Sequence, residues 1–81
     1  MSKTTKEITD KYPLVVEFDT GMIYGHCEYQ EAKFAVKASA IQGYFQMEED
    51  HLVNVMVDGK PLTVFATFDS FDDAYREAKG L

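Results

Sequence analysis

The sequence predicts an α+β domain of two ββα units in tandem, its four strands forming one antiparallel sheet with two helices mainly on one face. Three observations carry this. Residues 22–33 and 62–75 are imperfect copies of each other: each runs from a β-prone stretch towards alanine, with an aromatic residue three places before it (Tyr29 and Ala32, Phe71 and Ala74). Ahead of each copy lies another β-prone run ending in an acidic turn, residues 14–21 and 52–59. The second of these turns contains Asp58-Gly59, the strongest short-range signal for a β-hairpin in the chain.

Residues 1–12 read as a polar N-terminal arm and residues 13–81 as a single α+β domain. In the arm, Thr4 followed by Glu7 can form a capping box for one or two helical turns before Pro13. Only Ile8 offers an apolar anchor, so a frayed segment is expected. Residues 14–18 alternate as a first strand, and Asp19-Thr20-Gly21 supplies a turn, because glycine accepts positive φ and aspartate bonds its own backbone. Residues 22–29 return as a second strand, with Ile23, Gly25, Cys27 and Tyr29 on one side and Met22, Tyr24, His26 and Glu28 on the other.

Residues 30–42 carry two competing patterns. Ala32, Ala35, Ala38 and Ala40 favour helix, and Phe34, Ala38, Ile41 and Phe45 recur at helical spacing. Phe34, Val36, Ala38 and Ala40 also alternate as a strand does, and no N-cap precedes them. The parallel with the C-terminal segment favours helix, ended by Gly43. Glu48, Glu49 and Asp50 form a solvated loop. Residues 52–57 and 62–68 are the third and fourth strands, with Pro61 at a strand start, where a missing donor is tolerated. Ser70, with Asp73 three residues on, fits an N-cap, and Phe71, Ala74, Tyr75 and Ala78 line one face of a last helix closed by Gly80.

Eighty-one residues make one domain near the low end for a self-sufficient core, the size at which pairing with a second chain often completes it. A hydrophobic fraction of 46% with 27% charged residues favours folding over disorder. The net charge of −6, from fourteen acids against eight bases, opposes attraction to nucleic-acid phosphates and anionic lipid, and favours basic partners. Cys27 is the single cysteine, so no intramolecular disulfide forms. The first eleven residues lack the apolar run of a signal sequence, and no stretch approaches the roughly 18 apolar residues of a membrane span. A cytoplasmic protein without a membrane partner is expected.

If helices cover the side bearing Leu14, Val16, Phe18, Ile23, Cys27, Val53, Val55, Val57, Val64 and Ala66, the opposite side is not polar. It carries Val15, Met22, Tyr24, Leu52, Met56 and Phe65 among Glu17, His26, Asn54, Thr63 and Thr67. One-sided antiparallel sheets alternate more cleanly than this, and apolar patches of that size mark interfaces or are covered by another part of the chain. Here the covering segments would be residues 1–12 and 44–50. The acids Glu48, Glu49, Asp50, Asp58, Asp69, Asp72, Asp73 and Glu77 crowd the second half against Lys60, Arg76 and Lys79. Spaced carboxylates imitate a phosphate ladder, although a turn, a loop and a helix start also account for them.

Catalytic, metal and cofactor signatures are not expected. His26 and Cys27 are adjacent on a strand and face opposite ways, so they make no thiol–imidazole pair. Glu49-Asp50-His51 brings metal-ligand types together without a second ligand pair. Asp19-Thr20-Gly21 matches the aspartic-protease triplet but lacks the second carboxylate such enzymes need. Tyr24, His26 and Phe65 offer stacking surfaces for bases, yet their face is read as free of lysine and arginine, so direct nucleic-acid binding is not expected. In size and acidity the chain resembles phage-encoded inhibitors of host enzymes, anti-CRISPR proteins included, a likeness that covers no motif. It implies a small non-catalytic protein that blocks a basic surface of a nucleic-acid-handling complex. The sequence reading is therefore a protein-binding module with apolar anchors Tyr24, Met56, Phe65, Met22 and Leu52 and an acidic rim from Glu48 to Glu77. The alternative is an assembly subunit that homodimerises through its sheet face.

Overall fold

A computed structural model describes residues 5–81. The chain is α+β, but its plan is not ββαββα. In order it forms α1 (Thr5–Lys11), β1 (Val15–Glu17), β2 (Met22–His26), β3 (Lys33–Lys37), β4 (Ile41–Gln46), β5 (Leu52–Val57), β6 (Lys60–Phe65) and α2 (Phe68–Lys79). Among the described residues the six strands make two three-stranded antiparallel sheets, ordered β1-β2-β3 and β4-β5-β6, in place of the expected four-stranded sheet.

Residues 30–42 are the decisive correction. They form β3, then one 3₁₀ turn at Ala38–Ala40, then the start of β4. Gln30 and Glu31 take left-handed φ values of 56° and 51° and reverse the chain, so β3 folds back along β2 instead of opening a helix. The pairing of Val36 with Ile23 and Phe34 with Gly25 places apolar side chains inward, while Lys33, Ala35 and Lys37 stay exposed. Alanine's helix propensity is worth only tenths of a kcal/mol per residue, and this cross-strand pairing overrides it. Gly43 ends no helix; it sits inside β4 at a register shift, where an extra residue kinks the strand.

The β5–β6 hairpin follows its expected turn. Asp58 and Gly59 have φ of 53° and 77°, both positive, as a two-residue type I′ connection requires, and Gln42 Oε1 accepts from Gly59 N–H at 2.6 Å. Between β1 and β2, Gly21 (φ 73°) closes the turn by donating to Glu17 O at 2.9 Å. The N-cap of α2 is Thr67, not Ser70: Thr67 Oγ1 accepts from Ser70 N–H, while the Ser70 hydroxyl oxygen accepts from Thr67 N–H. Gly80, left-handed at φ 77°, ends the helix. The arm forms α1; the Thr4–Glu7 capping box involves Thr4, outside the described residues.

The two sheets meet along β2. Beyond β2, Cys27 N–H donates to Ala32 O on the β3 side at 2.8 Å, and Glu28 N–H donates to Thr63 O of β6 at 2.8 Å. Cys27 and Val64 form an isolated antiparallel bridge. β1 and β6 therefore lie end to end along the same flank of β2, opposite β3. The concave side so formed holds the core of Ile23, Val36, Ala38, Ile41, Val53, Val55, Val64 and Ala66, and α2 presses Phe71 and Ala74 into it. Phe71, Ile23, Val53, Val55 and Val64 are the largest fully buried side chains. The two helices do not share a sheet face: α2 covers the concave side, whereas α1 leads into Tyr12, which packs on Phe65 and His26 of the other side. Phe18, expected inward, lies in the β1–β2 turn at 67% exposure.

Candidate functional site: a groove between the N-terminal helix and the C-terminal helix

Where β1 gives way to β6 along β2, the surface is open. α1 and the Tyr12-Pro13 segment wall one side of this opening and α2 walls the other, leaving a groove of about 400 Å³. Its floor is apolar, from Leu14, Val16, Phe65, Ala66 and Ala74. The rim on α2 is polar, because Ser70, Asp73 and Glu77 recur at helical spacing and share a face. Asp73 and Glu77 are exposed, and among the described residues no lysine or arginine lines the groove. Two carboxylates over a low-dielectric floor, with no cation among the described lining residues, make the local potential negative.

Tyr12 sets the opposite wall. Its ring stacks on Phe65 with centroids 4.3 Å apart and planes 13° apart, and lies 5.2 Å from the His26 ring. Its hydroxyl donates to the Glu31 carboxylate, a bond that foremost holds the Tyr12 pKa above its ordinary value. Pro13 disfavours helical backbone at the preceding Tyr12, so α1 ends at Lys11 and the chain passes into β1.

Of the residues singled out in the sequence, Phe65, Asp73 and Glu77 come together in this groove. The others scatter. Asp72 faces away, accepting from the Tyr44 hydroxyl and from Arg76 Nε at 2.9 Å. The Tyr44 bond, foremost, holds the Asp72 carboxyl below the usual carboxylate range, with Arg76 adding to it. Burial first, and the Asp72 bond second, push Tyr44 up to about 12. Asp72 is thus part of an aromatic brace, since Tyr44 also packs against Phe68, Phe71 and Tyr75.

Glu48, Glu49 and Asp50 occupy the β4–β5 turn and Asp69 the first turn of α2. Gln46 joins these two places: its Nε2 donates to Glu49 O at 2.9 Å and Leu52 O at 2.8 Å, and its Oε1 accepts from Phe68 N–H at 3.0 Å. Leu52 is not a surface anchor. It is 4% exposed, paired with Phe65 beside the Tyr12 stack. Met56 is half-buried on the outer side of β5, and Met22 and Tyr24 lie on the outer side of β2. That side does carry cations: β3 places Lys33 beside His26 and Lys37 beside Met22, against the expectation of a face without lysine. Sequence reasoning missed Tyr12, whose one signal is an aromatic residue immediately before a proline in an otherwise polar arm.

Groups with reactive potential are occupied or kept apart. Cys27 is buried, its Sγ 3.6 Å from Tyr29 O, and His51 Nε2 lies 3.2 Å from Glu49 Oε2. Among the described residues no three of His, Cys, Asp and Glu cluster as metal ligands. No helix among them is long and apolar enough to cross a membrane. No protein family, curated protein or solved structure matches the chain.

Proposed function

We propose that the chain is a non-catalytic protein-binding module whose groove between α1 and α2 accepts a basic, amphipathic segment of a partner protein. The observation that carries this is the pairing of an apolar floor, including Val16 and Phe65, with a rim bearing Asp73 and Glu77 and no cation among the described lining residues. A segment with apolar side chains on one side and lysine or arginine on the other meets both features at once. Desolvated apolar contacts supply most of such an affinity, while rim charges choose the partner and speed encounter. In its sharper form the module is an inhibitor of a nucleic-acid-handling complex. The carboxylates of Glu48, Glu49, Asp50, Asp69, Asp73 and Glu77, in a chain of net charge −6, then occupy a basic surface in place of phosphates. The expected partner is a basic protein or complex, with no direct contact to nucleic acid and no cofactor.

The test is fluorescence anisotropy with a labelled Lys/Leu amphipathic peptide, and a Glu/Leu peptide as control. Asp73→Lys with Glu77→Lys is expected to weaken the basic peptide about tenfold at low salt. Glu48→Lys with Asp50→Lys, an equal charge change away from the groove, is expected to cost about twofold. Equal losses from both pairs would show that net charge alone governs binding, and the groove reading would fall.

A further inference from the structure

We infer that the outer face of the β1-β2-β3 sheet is a homodimer interface, two copies packing face to face about a two-fold axis that runs along β2. This surface lies on the side of the sheet away from α2, and the inference is independent of the groove.

The register fixes what the face displays. Across the three strands one row is Val15, Tyr24, Ala35; the next is Glu17, Met22, Lys37; and at the other end His26 stands beside Lys33. Val15 is 57% and Tyr24 36% exposed, and Ala35 and Lys37 are exposed too, so nothing in the described chain covers the centre of this surface. A shallow slot of about 240 Å³, bordered by the outward-facing Val15, Tyr24, His26 and Lys33, opens beside the Tyr24 ring.

An isologous interface must be complementary to itself. A two-fold axis along β2 exchanges β1 with β3. Glu17 then stands over the partner's Lys37 and Lys37 over the partner's Glu17, with the two Met22 side chains between them. In the neighbouring row Val15, large and protruding, stands over the partner's Ala35, small and recessed, and the two Tyr24 rings meet on the axis next to their slots. Packed sheets cross at about −30°, which displaces positions one strand from the axis by about 2.5 Å, well within the reach of a lysine. The other face-to-face arrangement, with the axis across the strands, puts Lys37 over the partner's Lys33 and repels. Within one chain Glu17 and Lys37 are two strands apart and form no ion pair with each other. Glu17 Oε1 accepts from the Thr20 hydroxyl at 2.5 Å, a neutral donor that leaves the carboxylate's charge for a second copy.

Size sets the strength. Two strands of five residues and one of three present roughly 200 Å², far below the roughly 800 Å² per partner of a standard stable interface. The association is therefore weak and concentration-dependent.

Sedimentation equilibrium of the full chain from micromolar to millimolar concentration reads it directly. The average mass is expected to climb from 9.2 kDa towards twice that value. Glu17→Lys alone and Lys37→Glu alone are each expected to weaken dimerisation about tenfold, and the double exchange to restore it to within about threefold. Ala35→Arg, at an exposed position beside Tyr24, is expected to abolish it. A chain that stays monomeric at millimolar concentration overturns the inference, as does a double exchange no better than the singles. Capture of a single-stranded oligonucleotide by Tyr24, Lys33 and Lys37 without self-association would assign the face to nucleic acid and overturn it equally.

Discussion

Gln46 is the side chain whose removal is expected to show most about how the acidic end of the molecule is held. Gln46→Ala deletes three hydrogen bonds at once, to Glu49 O, Leu52 O and Phe68 N–H. A typical intramolecular bond nets about 0.5–1.5 kcal/mol, and the cost is highest where a partner is left unsatisfied. Here both carbonyls keep a second donor, since Leu52 N–H reaches Glu49 O and Met47 N–H reaches Leu52 O, each at 3.0 Å. Phe68 N–H, at the first position of α2, is left to water. The three bonds therefore sit near the low end of the range, and their sum is about 1.5 kcal/mol. For a domain of this size that lowers Tm by about 8 °C. Calorimetric melts measure it, with exchange of the Phe68 amide as the local readout. Gln46→Glu retains an acceptor at the helix N-terminus, where negative charge is favourable, and is expected to recover about half of the loss. A fall in Tm below about 2 °C for Gln46→Ala would refute the reasoning and show the β4–β5 turn and α2 to be held independently of this side chain.

Two further outcomes follow from other parts of the fold. Tyr44 titrates in the folded chain at about 12 against 10.0 for the free group, so its contribution is intact below pH 10 and is lost as pH rises towards 12. Denaturation between pH 8 and about 12 is expected to show an alkaline limb that Tyr44→Phe flattens; the same limb in both proteins would remove Tyr44 as its origin. Gly59→Ala is expected to cost about 1 kcal/mol, since its φ is 77° and an added Cβ meets nothing within 4 Å, leaving backbone strain as the whole effect. Gly43, equally uncrowded but without positive φ, is expected to accept alanine with no loss in Tm; equal losses at the two glycines would contradict this account.

The elements legible in the sequence are those whose causes lie within a few residues. Asp58-Gly59 specifies its hairpin by φ alone, and Phe71, Ala74, Tyr75 and Ala78 mark the buried face of α2 by spacing. Alternation in β2 and β5 separates the inward Ile23, Val53 and Val55 from the outward Tyr24 and Met56. What escaped is determined at a distance. Residues 30–42 hold four alanines, and whether they coil or extend is decided by the β2 edge that Val36 and Phe34 pair with. The likeness between residues 22–33 and 62–75 stops where local chemistry differs: Thr67 and Ser70 cap a helix, whereas Gln30 and Glu31 turn left-handed. That one misassigned segment also hid Lys33 and Lys37 from the Tyr24 face. In the groove, Asp73 and Glu77 were visible as exposed helix acids, but their apolar floor depends on where Tyr12 and Pro13 cross the sheet, which no periodicity in the arm records.

The bridge at Cys27 and Val64 bears on how the molecule assembles. All the other strand pairings join neighbours in the chain, through connections of 2–6 residues. Each three-stranded half can therefore zip up from its own turns at little loop-closure cost. The expensive encounter, which brings residue 27 to residue 64, happens once, between pieces already ordered. A topology of this kind reaches its native pairing quickly and leaves few long unpaired strands waiting for a distant mate.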